Sequence, residues 1–229
     1  MRRLVLTLLC LTAGAAAAGE LPDPLADDEL RGALGRMNLA GYASRSQCSG
    51  TLVAPDLVLT AAHCVTRADG TAHRLSRIHF VAGWNRGDYA GHGRAEQVTL
   101  HPAWRGADAG KVTGDIALVR LDVPLEVRPL PAARPATASV ARALAGYAAH
   151  RPHAPTAHMP CRPRARDRRG ILLGCPAEPG ISGGPLLERD RGGWRVVGVV
   201  AGTVRTDGAT TTLVVPLGAR LLEMIDGPT

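Results

Sequence analysis

The chain has 229 residues and a formal net charge of +7; 45% of its residues are hydrophobic, but only 3% are aromatic. This length fits one large domain or two small ones, and 21% charged residues with balanced hydropathy exclude a disordered chain. With three Trp, three Tyr and one Phe, the core must consist mostly of Val, Leu, Ile and Ala. The basic charge alone would fit a nucleic-acid or anionic-membrane partner, so it has to be weighed against the motifs.

The N-terminus has the pattern of a cleavable secretory signal over residues 1–18. Arg2 and Arg3 precede an apolar run over residues 4–11, and small residues follow at 15–18. We therefore expect cleavage near Ala18 and a secreted or periplasmic protein. An uncleaved membrane anchor is the alternative, but the apolar run is shorter than the roughly 20 residues that span a bilayer.

Four cysteines remain once the signal segment, with its single cysteine, is removed: Cys48, Cys64, Cys161 and Cys175. An even number in an exported protein predicts disulfides, and four cysteines allow three pairings. We favour pairing between neighbours in the chain, which closes two loops of about 15 residues, each worth roughly 3 kcal/mol in the chain-entropy model. A zinc site is the alternative, but no CxxC or HxxxH spacing is present, so we expect no metal and no cofactor.

The distribution of β-branched residues and turn residues predicts an all-β chain. Short apolar runs bounded by Gly, Pro, Asp and Asn occur at residues 50–59, 78–81, 116–121, 194–200 and 210–215. Helix is expected only in a turn over residues 61–66 and in a terminal segment over 217–225, where Leu221, Leu222 and Ile225 share a face. Residues 128–137 contain three prolines and no periodicity, which fits a linker between two halves or a long surface loop.

Three motifs carry candidate chemistry. Ser182 is followed by two glycines and lies two residues after Gly180, so the backbone can turn sharply and expose the hydroxyl as a nucleophile. His63 ends an apolar run and could act as its base, and Asp115 begins another apolar run and could orient the imidazole. Each motif alone also fits an ordinary structural role: a tight loop, a packed histidine or a turn residue.

The order of these residues separates the known classes of serine hydrolase. An α/β-hydrolase places its histidine after the serine, whereas the last histidine here is His158. The subtilisin order needs an acid before His63, such as Asp56, in a helix-rich α/β chain, which the all-β pattern does not support. The order His, Asp, Ser on an all-β chain leaves the chymotrypsin arrangement.

These motifs resemble the trypsin-like (chymotrypsin-fold) serine proteases, in particular the small exported bacterial members. The resemblance runs from about Gly35 to the C-terminal helix. It implies two six-stranded antiparallel β-barrels with a short C-terminal helix, and a cleft between the barrels that holds the triad. The boundaries are then a signal peptide (1–18), an N-terminal extension (19–34), the first barrel (35–127), a linker (128–137) and the second barrel with the helix (138–229).

The resemblance also implies the role of each site residue. Ser182 would be the nucleophile, His63 the base and Asp115 its orienting acid, while the N–H groups of Gly180 and Ser182 would form the oxyanion hole. A disulfide between Cys48 and Cys64 would brace the histidine loop. Residues 194–202 would pair with an extended polypeptide substrate.

Two departures from the animal trypsins affect activation and specificity. Ile181 stands where those enzymes have the aspartate that pairs with the new N-terminus, so we expect no activation by that ion pair. The oxyanion loop would then form in another way or stay partly mobile. Pro176 stands where trypsins have the acid that binds Arg or Lys, and Glu178 is the only acid nearby, so no cleavage preference is assigned.

Five arginines lie in one short segment: Arg162, Arg164, Arg166, Arg168 and Arg169. A solvated hairpin tip explains them, and a weak contact with an anionic surface is the functional alternative. Nucleic acid is excluded as a partner because no aromatic residues are interleaved for base stacking. The sequence therefore predicts a monomeric, exported serine endopeptidase acting on polypeptides. The alternative is a catalytically silent binding protein with a protease fold, for which Ile181 is the main support.

Overall fold

A computed structural model of the protein describes residues 23–39, 47–106, 114–136, 140, 142–206 and 208–227. The predicted signal segment lies outside these residues, as does residue 137 at the end of the predicted linker. The described chain is mostly β-strand, with antiparallel pairing within both sheets, and the predicted all-β fold class is confirmed. No helix within the described ranges is long and apolar enough to cross a membrane.

The first half forms a closed six-stranded barrel, as expected. Its strands run in the spatial order β1, β2, β3, β6, β5, β4. The strands are β1 (Leu34–Leu39), β2 (Gln47–Ala54), β3 (Leu57–Thr60), β4 (Ile78–Ala82), β5 (Gly91–Leu100) and β6 (Ala117–Leu121). Phe80, the only phenylalanine, is fully buried in this barrel, and a Cβ on Gly35 would come within 2.3 Å of its ring. A glycine on β1 therefore makes room for the one large aromatic ring that an aliphatic core has to accommodate.

The apolar run at residues 50–59 is two strands rather than the single strand predicted. Pro55 and Asp56 form the turn between β2 and β3. The turn fits these residue types, because proline has no N–H to donate to a ladder and aspartate is favoured in turns.

The second half forms a seven-stranded sheet in the order β8, β7, β11, β12, β13, β10, β9. The strands are β7 (Arg142–Gly146), β8 (Thr156–Cys161), β9 (Pro163–Arg166), β10 (Ile171–Leu173), β11 (Pro185–Asp190), β12 (Gly193–Thr206) and β13 (Ala209–Pro216). Six strands in a closed barrel were expected. The extra strand has a simple origin, because the two edge strands, β8 and β9, are consecutive in the chain with only Arg162 between them. They act as one bent strand that joins the two edges of the curved sheet.

Both disulfides join cysteines that are neighbours in the chain. Cys48 on β2 is bonded to Cys64, which follows β3, and Cys161 at the end of β8 is bonded to Cys175, which follows β10. Each bond therefore fixes a loop to a strand of its own sheet.

The described ranges contain two short α-helices, of which only the C-terminal one was predicted. Helix α1 (Asp28–Ala33) precedes β1, and the Asp27 side chain caps it by accepting a hydrogen bond from the Leu30 N–H at 3.0 Å. Helix α2 (Ala219–Asp226) begins two residues later than predicted and buries Leu221 and Ile225. The segment between the sheets is hydrogen-bonded to both: the Leu130 N–H donates to Leu52 O, and Pro131 and Ala133 pair with the backbone of Val196.

Candidate active site

His63 lies in a single 3-10 turn (Ala62–Cys64) directly after β3. The turn is fixed at its end by the Cys48–Cys64 disulfide, and the Thr66 hydroxyl donates to Ala62 O at 3.0 Å. The imidazole is therefore attached to a rigid element of the first barrel. Its side chain is 29% exposed, so the ring can be reached from the cleft.

Asp115 holds His63 by both of its carboxylate oxygens. Oδ2 lies 2.6 Å from His63 Nδ1, and Oδ1 accepts a hydrogen bond from the His63 backbone N–H at 2.9 Å. Asp115 is 1% exposed. Because an ionised carboxylate only accepts hydrogen bonds, Nδ1 carries the proton and Nε2 is left with a lone pair. This is the tautomer that a general base needs.

Ser182 lies in the loop that joins β10 to β11, and two glycines give this loop its shape. Gly180 (φ +95°) and Gly183 (φ +81°) have backbone angles that favour glycine. A Cβ on Gly180 would lie 2.3 Å from Tyr147 O, and one on Gly183 would lie 2.2 Å from Ser49 O. The loop thus needs glycine for both its turn and its close approach to neighbouring backbone.

Ser49, which sequence reasoning did not single out, ties this loop to the first barrel. Its N–H donates to Ser182 O at 2.8 Å, and its hydroxyl donates to Gly180 O at 2.8 Å. The same hydroxyl accepts from the Tyr147 N–H at 2.8 Å, and the residue is fully buried. A polar residue inside the otherwise buried strand β2 was the available signal, because such a group needs a hydrogen-bond partner.

Ile181 has a packing role. Its side chain is fully buried among the apolar residues of the second sheet, and its backbone closes turns with Glu178 and Gly184. The N–H groups of Gly180 and Ser182 have no acceptor among the described residues, so both remain available to a substrate carbonyl. The loop is therefore shaped by Ser49 and by apolar packing, with no carboxylate at position 181.

His63 and Ser182 line one cleft of about 760 Å³. The structure brings His63 and Asp115 into direct hydrogen bonding; between Ser182 and His63 it gives no direct hydrogen bond within the described ranges. His63 Nε2 instead lies 3.6 Å from Cys64 Sγ. Hydrogen bonds between nucleophile and base are often long without substrate and shorten in the complex.

Cys48, His63 and Cys64 are also close enough together to resemble a metal site. Both sulfurs belong to the disulfide, so neither can act as the thiolate that binds a metal. The two cysteines therefore brace the turn that holds His63, and the cluster is not a metal site.

The family follows from a comparison with sequence-family models. The model described as the trypsin-like peptidase domain matches residues 48–199, which include His63, Asp115 and Ser182. The chain belongs to the trypsin-like peptidase family. It is accordingly a serine endopeptidase, a hydrolase of peptide bonds. Among curated proteins, none matches this peptidase in sequence.

Solved serine proteases have the same fold as this peptidase at low sequence identity. Thermostable serine protease AL20 from an extremophilic microorganism is 19% identical, with a TM-score of 0.65 over 82% of this chain and 93% of that one. Protease Anisep from Arthrobacter nicotinovorans is 18% identical, with a TM-score of 0.66 over 82% and 91%. A Glu endopeptidase is 17% identical, with a TM-score of 0.69 over 88% and 93%.

Glu178, the acid nearest the nucleophile in sequence, faces histidines in the peptidase. Its carboxylate lies 2.5 Å from His150 Nδ1 and 3.5 Å from His158 Nε2. The described residues that line the cleft of Ser182 do not include it. Glu178 is thus engaged in pairs of its own, which fits a loop charge better than a group that binds a basic side chain of a substrate.

Proposed function

We propose that this peptidase is an exported endopeptidase that cleaves polypeptides through an acyl-enzyme on Ser182. His63 is its general base and Asp115 is the orienting acid. The observation that carries the proposal is the doubly bonded Asp115–His63 pair, which leaves a lone pair on Nε2 of a histidine that lines the same cleft as Ser182.

The proposed reaction has two steps. Ser182 Oγ attacks the scissile carbonyl while His63 Nε2 takes its proton, and the resulting oxyanion accepts hydrogen bonds from the Gly180 and Ser182 N–H groups. The carbon–nitrogen bond then breaks as His63 returns the proton to the leaving amine. Water, activated by the same imidazole, hydrolyses the acyl-enzyme. Loss of one oxyanion donor typically costs about 10²–10³ in kcat.

Export is the second part of the proposal. It is supported by the basic and apolar start of the sequence and by two disulfides, which persist in oxidising compartments. The signal segment would be cleaved near Ala18. In the mature chain, residues 128–137 would link the two halves. Weak contact of the arginines at 162–169 with an anionic surface belongs to this part too, and we propose that the exported chain acts as a monomer.

Labelling with a fluorophosphonate probe tests the catalytic assignment. We expect the wild type to be labelled at Ser182, Ser182→Ala to be unlabelled and His63→Gln to be labelled at least 10³-fold more slowly, because the serine then lacks its base. Ser76→Ala, an exposed serine far from the motifs in the chain, is the matched control and should be labelled like the wild type. A folded wild type that resists labelling would favour the silent binding protein.

A further inference from the structure

One face of the β1–β2 hairpin forms part of the cleft wall beside the nucleophile. Arg36 pairs with Ser49 across the two strands, and Asn38 pairs with Gln47. Because side chains alternate along a strand, these four residues share one face. Arg36, Asn38 and Gln47 line the same cleft as Ser182.

Arg36 is held in position but is not neutralised. Its Nη2 donates to Gln47 Oε1 at 3.3 Å, and its guanidinium carbon lies 5.7 Å from the centre of the Trp84 ring. Its Nε is buried without an acceptor, and no carboxylate in the described part of the chain forms an ion pair with it. Residues 40–46, which connect β1 to β2, contain no Asp or Glu. Burial lowers the pKa of Arg36, but an arginine stays cationic in a protein.

The position of Arg36 relative to Ser182 indicates which part of a substrate it can reach. The lining includes Pro179 and Gly180 but, among described residues, none from β12, the strand that the resemblance pairs with the substrate. We assign β12 to the acyl side of the scissile bond, so the region around Arg36 takes the leaving side. Arg36 is one strand spacing, about 4.8 Å, from Ser49, whose N–H bonds to Ser182 O. An extended peptide advances about 3.3 Å per residue, which brings its second or third residue after the scissile bond to Arg36.

The charge of the side chains that line the cleft indicates which kind of substrate side chain would bind beside Arg36. The titratable side chains that line it in the described ranges are Arg36, His63 and His153, and none of them is an acid. We propose that this region is a subsite for a carboxylate side chain at the second or third position after the scissile bond, with Arg36 as the recognition residue. The inference rests on the proposed function and extends it to a substrate class. A guanidinium can donate two parallel hydrogen bonds to a carboxylate, which also sets its orientation.

Matched quenched peptides test the subsite. A sequence that the enzyme cleaves in a peptide library is synthesised with Glu, Gln or Lys at the second position after the bond, and in a parallel set at the third. At low salt we expect Glu to exceed its isostere Gln in kcat/KM by about five- to tenfold at one of these positions, with Lys below both. Arg36→Gln should reduce the Glu-to-Gln ratio to about one, and Arg36→Lys should retain part of it.

The ratio compares two peptides on the same protein, so it does not depend on how much of a variant is folded. Arg74→Gln, which removes an exposed positive charge elsewhere in the first barrel, is the control and should keep the wild-type ratio. Equal rates for Glu and Gln in the wild type, or an unchanged ratio in Arg36→Gln, would overturn the subsite.

A binding measurement separates this inference from the catalytic proposal. Fluorescent peptides that begin at the residue after the cleaved bond, with Glu or Gln at the tested position, are titrated against Ser182→Ala. The Glu peptide should bind about five- to tenfold more tightly, and this difference should vanish when Arg36→Gln is added. If the binding difference is present but wild-type activity does not depend on Ser182, only the catalytic assignment is rejected. If the wild type cleaves through Ser182 but the binding difference is absent, only the subsite is rejected.

Discussion

At the scale of single residues, the Ser49 hydroxyl has the most connected position outside the motifs. It bridges Gly180 O and the Tyr147 N–H, so it links the first barrel to two segments of the second half. Gly180 carries one of the two proposed oxyanion donors. The hydroxyl holds the Gly180–Ile181 peptide, and the Ala149 N–H holds the preceding peptide, which carries the donor, by bonding to Pro179 O at 2.7 Å. Ser49 therefore fixes the backbone on one side of Gly180 without contacting the substrate carbonyl. Ser49 is a positioning residue.

Ser49→Ala should reduce kcat more than it affects KM. The substitution leaves two buried backbone groups without a partner, at about 1–3 kcal/mol for each such group. It also releases the Gly180–Ile181 peptide, which directly follows the peptide that carries the proposed donor. We expect kcat for an activated ester to fall by about tenfold or more, with KM changed less than twofold, as steady-state kinetics would measure. An Ala variant that is less stable but retains wild-type kcat would contradict the role, because only stability would then depend on the hydroxyl.

Some of the candidate site residues can be recognised from the sequence, and others cannot. Ser182, His63 and Asp115 are predicted as site residues because each lies in a local motif with recognisable neighbours. Ser49 and Arg36 were missed because their roles depend on contacts between distant parts of the chain, such as the bond from Ser49 to Gly180 across 131 positions. No pattern of spacing encodes a contact of that kind.

At the scale of elements, β4 and β5 carry a pair of histidines on their shared surface. His79 Nδ1 lies 3.0 Å from His92 Nε2, and the rings are stacked with centroids 5.2 Å apart. The neighbouring charges, Arg94 and Asp122, form a pair with each other. Burial, and then the charge on His92, lower the pKa of His79. The folded protein therefore favours the neutral imidazole at this position.

This pair should make stability decrease as the solution becomes acidic. A histidine whose pKa is lower when folded binds its proton more readily in the unfolded chain, so unfolding becomes easier as the pH falls below about 6.5. We expect urea unfolding to show a smaller loss of free energy between pH 7.5 and pH 5 in His79→Gln/His92→Gln than in the wild type. His92→Gln alone removes only the second cause and should give an intermediate result. The same pH dependence in all three proteins would show that the pair contributes nothing.

Elements with strong local preferences were the ones that the sequence predicted. Strands β4, β6 and β13 are rich in β-branched or large apolar residues and lie where they were expected, whereas β12 covers the predicted run but continues to Thr206. Strand β7 reads Arg-Ala-Leu-Ala-Gly, with no β-branched residue, and exists because both of its neighbours supply hydrogen bonds and its five residues are buried. Strand β9 has four exposed residues and is a strand only through its pairing with β10. Tertiary context overrides propensity in both.

At the scale of the whole molecule, contacts between the halves set the geometry of the cleft. Tyr147, which follows β7, is fully buried, and its hydroxyl donates to Trp84 O of the first barrel at 2.9 Å. Burial raises the pKa of this phenol, so the group stays a donor under ordinary conditions. Within the second sheet, the buried pair of Arg142 and Glu188 also bonds to the backbone of Ala136, at the end of the described connecting segment.

The net positive charge of the chain does not by itself indicate which arginines contribute to function. The five exposed or half-exposed arginines at 162–169 lie on the bent edge of the second sheet, whereas Arg36 lies at the cleft between β1 and the nucleophile loop. Only position in the fold separates a surface charge from a charge that faces substrate. Composition predicted the aliphatic core more successfully, since just one phenylalanine and one tyrosine are among the largest fully buried side chains.

We propose that both halves of the molecule act together to acylate Ser182. Rapid mixing of the protein with an activated ester measures this acylation. We predict a burst of about one equivalent of released leaving group per molecule, an added acyl mass on the peptide that contains Ser182, and no burst with Ser182→Ala or Asp115→Asn. A protein with both disulfides formed that gives no burst and no acylated Ser182 would rule out the proposed acyl-enzyme.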